Sequence, residues 1–149
     1  MIHRILIALF FLFAGSQARA EEPAFAVGQT WRYETRKGEG DSRLVILRID
    51  DAAKEGRIVH VGIVGAKLVL APGQPAQPWQ IDHMPFAEVA LRRSVTKLEA
   101  EPSKAVFPEF EPHYVAWKKV ADAGNRQMWS APVSKAVGDL EKMILSRRK

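Results

Sequence analysis

The sequence contains no cysteine in its 149 residues. Disulfide bonds, thiolate nucleophiles, zinc-thiolate sites and iron–sulfur clusters all need cysteine, so each of them is excluded. Without disulfides, the fold must be stabilised by the burial of apolar side chains, which a domain of ordinary size can provide.

The motifs of the common enzyme classes are missing as well. No serine lies in a Gly-x-Ser-x-Gly turn, and no glycine-rich loop ends in the Lys-Ser or Lys-Thr of a phosphate site. A metal site needs three or four converging ligands, whereas His60, His83 and His113 lie in separate predicted elements. The sequence therefore predicts no catalytic residue, no metal site and no cofactor.

The apolar run at residues 5–14 is too short to cross a membrane. Its ten residues would form a helix of about 15 Å, whereas a hydrocarbon core is about 30 Å thick. The run follows Arg4 and precedes the small-x-small triplet 18–20, which together are typical of a secretory signal peptide. The alternative, a buried N-terminal core helix, is disfavoured because a helix that is apolar all round must be covered on every side.

We therefore expect a signal peptide over residues 1–20, cleaved between Ala20 and Glu21, and no stable membrane anchor. Residues 21–149 then form a single domain, with twenty basic and seventeen acidic residues once Arg4 and Arg19 are removed. This small excess does not require a nucleic-acid partner. Export of cysteine-free proteins is common in bacteria, so the predicted destination is the periplasm or the medium.

The first half of the mature chain has the alternation of half-buried strands. In residues 29–36 the side chains of Trp31, Tyr33 and Thr35 alternate with charged residues. Further strands are predicted at 43–50 and 57–64, and residues 66–70 continue the third strand or form a fourth. Because the connections are short, these strands predict an antiparallel meander of three to four strands.

The second half predicts helices. Three prolines indicate an exposed loop at 72–78, after which helices are expected at 85–98, at 112–123 and from residue 132 onward. The last helix has its apolar side chains at helical spacing: Val133, Val137, Leu140 and Ile144. Strands first and helices after them favour an α+β fold with two to three helices packed on one face of the sheet.

Two residues near the proline-rich loop are candidate binding residues. His83 is predicted between this loop and a helix, a common position for functional side chains, although a structural role at the helix entry is the more usual one for such a residue. Trp79 ends the loop where no local pattern requires burial, and an exposed tryptophan is a typical contact for a partner. The alternative is that Trp79 folds back over the sheet as a lid. Trp31 and Trp117 are predicted to be core residues.

Arg32 and Arg36 form a further candidate binding patch on the first strand. Tyr33 is predicted on the opposite face and Glu34 interrupts the basic row, so the pattern does not predict a nucleic-acid site. A solvated strand face explains the row more simply.

Several short segments together resemble a family of small uncharacterised bacterial proteins. They are residues 28–36 (GQTWRYETR), 44–49 (LVILRI), 83–86 (HMPF), 90–91 with Ser94, and 114–117 (YVAW). The resemblance implies a shared compact domain. It implies no activity and no functional residue.

Two functions follow as hypotheses. The first is an exported, non-enzymatic binding protein of the bacterial envelope, whose partner is another envelope or secreted protein. The alternative is a small periplasmic hydrolase or ligand-binding enzyme with its site near His83.

Overall fold

The computed structural model describes residues 21–148, so the predicted signal peptide, including Ala20, lies outside the described residues. Glu21 is exposed and has no regular structure. The elements in chain order are β1 (Thr30–Tyr33), β2 (Arg43–Ala52), β3 (Gly56–Leu68), β4 (Gln77–Ala87), α1 (Glu88–Ser94), β5 (Val95–Leu98), α2 (Phe110–Asp122) and α3 (Val133–Ser146). Among these residues no helix is long and apolar enough to cross a membrane.

The strands form one antiparallel sheet in the order β4-β3-β2-β1-β5. The first four strands are joined as a meander, and helices pack on the sheet. The predicted α+β class and antiparallel meander are therefore confirmed. The sheet has a fifth strand in addition to the three or four predicted, because β5 returns to pair with the far side of β1.

The predicted helix at 85–98 is much shorter than expected. Only the seven residues of α1 are helical, while Pro85 and Phe86 pair with β3 and the residues after Ser94 pair with β1. Proline is tolerated in β4 because this is an outer strand and the Pro85 carbonyl points away from β3, toward Trp129. The predicted loop at 72–78 also ends early, since β4 begins at Gln77. His83 and Trp79 therefore lie on a strand and not in a loop.

Helix α1 connects the two outer strands of the sheet. Its seven residues rise about 10 Å at 1.5 Å per residue. In a flat sheet, four strand spacings would place β4 and β5 about 19 Å apart. The sheet must therefore curl, and Ala90 and Leu91 of α1 are buried inside the curve.

The main apolar core lies between the sheet and α3. Val133, Ala136 and Val137 of α3 pack with buried side chains of every strand except β5, among them Ile46, Val61 and Phe86. Leu140 and Ile144 extend the same face of the helix and are partly buried. The helical spacing predicted for α3 is confirmed.

Helix α2 covers the other face of the sheet. Residues 58–63 of β3 are buried without interruption, so side chains on both faces of this strand are covered. His60 contacts Tyr114 and Trp117 of α2, whereas its neighbours Val59 and Val61 belong to the core below α3. The helices thus occupy two faces, where the sequence predicted one.

A glycine allows the loop before α2 to approach this second face closely. Gly62 lies one strand repeat from His60, and a Cβ at this position would overlap the ring of Phe107. Phe107 therefore packs directly on the backbone of β3. This contact helps to fix the start of α2 beside the sheet.

Candidate functional site

The candidate site lies along β4, where α2 and α3 approach this outer strand from opposite faces. It is a cavity of about 360 Å³ with His83 and Trp79 in its lining. The remaining lining residues are Gln80, Ile81, Asp82, Glu109, His113, Leu140 and Ile144. Two residues singled out from the sequence are thus brought together at one concave surface.

Behind this cavity, His83 is hydrogen-bonded to a buried histidine. Its Nε2 atom lies 2.9 Å from Nδ1 of His60, and the two rings stack with centroids 5.1 Å apart. His60 is completely buried. Edge contacts from Phe110, Tyr114 and Trp117 of α2 surround the pair. The aromatic side of α2 therefore fixes both imidazole rings.

A carboxylate on β2 lies at the inner end of the histidine pair. Oδ2 of Asp50 is 3.3 Å from His60 Nε2, but the alignment is not that of a hydrogen bond, so this buried nitrogen has no hydrogen-bond partner among residues 21–148. The same oxygen accepts a 2.9 Å hydrogen bond from the Tyr114 hydroxyl. The Arg48 guanidinium lies 4.1 Å from the centre of the Tyr114 ring. Asp50 is thus held against His60 by groups from β2 and α2.

This arrangement indicates where the protons are. A proton on His60 Nε2 faces the Asp50 carboxylate, which leaves His60 Nδ1 to accept a hydrogen bond from His83 Nε2. His83 Nδ1 then carries a lone pair, and it makes no hydrogen bond to any residue in 21–148. The result is an Asp50–His60–His83 chain whose last nitrogen is left to accept a hydrogen bond from a ligand.

Both histidines are neutral at neutral pH. Burial lowers the pKa of His60 from 6.5 to about 4, and the nearby Asp50 carboxylate opposes this effect without cancelling it. The pKa of His83 is also lowered to about 4, mainly by burial, and the neighbouring His60 and His113 act in the same direction. The neutral state agrees with the proton positions inferred from the contacts of His60 with Asp50 and His83.

Trp79 is 46% exposed at one side of the cavity, so it does not fold back over the sheet. Trp31 is buried as predicted. The prediction for Trp117 is wrong, because this side chain is only partly buried, with its ring against His60 and its Nε1 donating to the Gln127 carbonyl. Its position on the face of α2 toward the sheet edge leaves one side open.

Arg32 and Arg36 lie away from this cavity. Arg32 Nε donates to Glu99 at 2.7 Å, and Arg43 donates to the same carboxylate oxygen. Arg36 bonds both Glu39 and Glu141. Each arginine is therefore paired with an acid of this chain, and a role for either in binding stays a prediction.

Sequence reasoning did not find the roles of Asp50 and His60. Strand periodicity places Arg48 and Asp50 on one face of β2 and His60 on one face of β3. Their meeting depends on the register, in which Arg48 pairs with His60 after a bulge in β2. Aligning the sequences of β2 and β3 so that these polar residues face each other would have predicted the contact.

The described residues offer no metal centre, since no three side chains of histidine, aspartate or glutamate are grouped to hold an ion. The arrangement can accept hydrogen bonds, stack on rings and transfer a proton along the histidine pair. No family model, curated protein or solved structure matches the chain.

Proposed function

We propose that the protein is an exported, non-enzymatic binding protein of the bacterial envelope, and that it contacts an envelope or secreted partner through the β4 cavity. The observation that supports this most directly is the position of Trp79. Its large apolar ring is nearly half exposed beside a preformed cavity that also contains His83. Tryptophan is enriched among the residues that contribute most to binding, especially beside a pocket.

The rigidity of the site supports the same proposal. The His83 ring is held by His60 and Phe110, so little side-chain freedom is lost when a partner binds it. Export rests on residues 1–20 of the sequence. It is tested by sequencing the N-terminus of the purified protein, which we expect at Glu21, and by fractionating the cells.

Photo-crosslinking from position 79 tests the binding surface. A photoreactive phenylalanine analogue in place of Trp79 is expected to capture a specific envelope protein on irradiation of intact cells. Excess wild-type protein should compete with this capture, whereas the Trp79→Ala variant should not, because it lacks the contact ring. The matched control is the same analogue at Val89, an exposed apolar residue on α1. The same products from both positions, or none from position 79, would contradict the proposal.

The Asp50–His60–His83 chain favours a second candidate, a small periplasmic hydrolase. Its last nitrogen, His83 Nδ1, would accept a proton from a water molecule that attacks a substrate in the cavity. Water is the required nucleophile, because no serine, threonine or tyrosine lines the described cavity.

Activity against chromogenic esters decides this second candidate. The wild-type protein should hydrolyse at least one ester, and His83→Gln should abolish the reaction because the amide cannot take up the proton. The His113→Gln variant is the control, as it changes a cavity histidine outside the Asp50–His60–His83 chain. Absence of turnover by the wild type, or equal turnover by His83→Gln, would exclude this hydrolase mechanism.

A further inference from the structure

The charged groups of the β4 cavity are all acidic. Asp82 and Glu109 line it, and no lysine or arginine is among its lining residues. Its two histidine side chains come from β4 and α2, and His83 is neutral at neutral pH because of its burial. A ligand in this cavity therefore meets net negative charge.

The two carboxylates differ in how many hydrogen bonds they already accept within the protein. Asp82 accepts the side-chain N–H of Gln80 at 2.8 Å and the backbone N–H of Glu109 at 2.8 Å. The carboxylate of Glu109 makes no ion pair and no hydrogen bond with any residue from 21 to 148. It is exposed at the start of α2 and is free to bind a ligand.

The N-terminus of α2 does not reverse this preference for positive charge. The Glu109 N–H is used by Asp82, the Phe110 N–H donates to the Phe107 carbonyl, and Pro112 has no N–H. Few donors are left for an anion, and Glu111 adds a further negative charge to the first turn.

Apart from Gln80, the rest of the lining is apolar. Leu140 and Ile144 of α3 lie one turn apart, and Trp79 and Ile81 of β4 complete the apolar part. An aliphatic chain fits such a surface, and a cation is also attracted to the face of a tryptophan ring. His83 Nδ1 supplies one hydrogen-bond acceptor and Glu109 a second.

We infer that the β4 cavity binds an alkyl cation, that is, an ammonium or guanidinium group on an aliphatic stem. Under the proposed function, on which this inference rests, the cation is a lysine or arginine side chain of the partner protein. The stem packs on Leu140, Ile144 and Trp79. The charged group donates hydrogen bonds to Glu109 and His83 Nδ1.

An NMR titration with a matched pair of probes tests this inference on the purified protein. N-acetyl-lysinamide should shift the Trp79 indole N–H signal saturably, whereas N-acetyl-norleucinamide, which lacks the charge, should not. The Glu109→Gln variant should weaken the binding of N-acetyl-lysinamide about tenfold, because it replaces a charge-assisted hydrogen bond by a neutral one. The control Glu111→Gln, two residues further along the chain and outside the cavity lining, should bind it as the wild type does.

Three results would overturn the inference. They are equal binding of the two probes, equal affinities of Glu109→Gln and Glu111→Gln, and the absence of any shift of the Trp79 signal. Both substituted side chains are exposed, so loss of folding does not complicate the comparison.

Competition in the crosslinking experiment separates this inference from the proposed function. If position 79 captures a partner and N-acetyl-lysinamide does not compete, the cation site is wrong while the binding function stands. If N-acetyl-lysinamide binds as expected but nothing is captured, the proposed partner is wrong and the cavity binds a free amine.

Discussion

Lowering the pH from neutral toward 4.5 is expected to destabilise the protein through its buried histidine pair. The pKa of His60 is about 4 in the folded protein and 6.5 in its ordinary environment, so between these values the unfolded chain binds more protons. The full stabilisation is present above about pH 6.5 and is lost progressively as the pH falls through this window. For the fully buried His60, the shift corresponds to a loss on the order of 3 kcal/mol at the acid end.

The groups that face the pair explain why it is neutral when folded. His60 Nδ1 and His83 Nε2 share one hydrogen bond and are too close for both rings to carry a charge comfortably. Asp50 favours a charged His60, but Arg48 opposes it and burial exceeds the effect of Asp50. His113 acts against a charge on His83.

Urea unfolding at a series of pH values measures this effect. His60→Gln removes one of the two titrating groups, and its amide can still bond to His83, so its free energy of unfolding should depend less on pH between about 4.5 and 6.5, with His83 responsible for the dependence that remains. His113→Gln, which changes an exposed histidine, should keep most of the wild-type pH dependence, because burial is the main cause of the lowered pKa of both His60 and His83. A wild-type profile that is flat in this window would show that the pair is not buried as described.

Replacing Arg36 by methionine is expected to cost about 3 kcal/mol of stability, because it leaves a buried carboxylate without its counter-ion. Glu39 is 3% exposed, and the Arg36 guanidinium contacts both of its oxygens at 2.6 and 3.0 Å. Burial alone would raise the pKa of Glu39. Hydrogen bonds from Arg36 and from the Lys67 N–H outweigh burial and lower it. Methionine keeps the apolar stem of arginine but offers neither charge nor donor.

The matched control is Arg32→Met. It removes the same charge from the same part of the chain, but the Arg32 side chain is half exposed and Glu99 keeps its contact with Arg43, so the expected loss of stability is much smaller than for Arg36→Met. The double variant Arg36→Met/Glu39→Gln should be more stable than Arg36→Met alone, because it no longer buries an unpaired charge. Equal losses for Arg32→Met and Arg36→Met would contradict this account.

These variants also decide whether Arg36 has a binding role. The Arg36 guanidinium joins the β1–β2 connection to the end of β3 through the Lys67 carbonyl, and to α3 through Glu141. Glu141 in turn accepts the backbone N–H of Val69. We therefore expect Arg36→Met to lower the stability of the protein. Crosslinking from position 79 should decrease only in proportion to the fraction of protein that is unfolded.

Local patterns predicted the elements whose environment is uniform along their length. The +4, +3, +4 spacing of apolar residues in α3 reports a single buried face, so the sequence alone identified this helix. The alternation around Trp31 and Tyr33 identified β1 in the same way. Both side chains are buried, whereas Arg32 between them is exposed.

Elements whose state depends on a distant partner were not predictable in this way. Residues 95–98 follow a helical turn and carry a mixed pattern, and they form β5 because the free edge of β1 is available to pair with them. Pro85 resembles a helix start in sequence, yet it is a strand residue because its ring nitrogen faces away from β3. The candidate site has the same origin, since only the register of β2, β3 and β4 brings Asp50, His60 and His83 together.

The prolines of β4 have a consequence for self-association. Pro78 pairs with Lys67 of β3, whose N–H and carbonyl bond to Glu39 and Arg36 and not to β4. The nitrogen of Pro78, like that of Pro85, therefore lies on the outer edge of the sheet. An incoming strand would find no donor at either position, and Trp129 already occupies the edge beside Pro85. β4 is therefore a poor template for the growth of the sheet from one molecule to the next. Any partner that reaches this edge must be recognised by side chains rather than by an added strand.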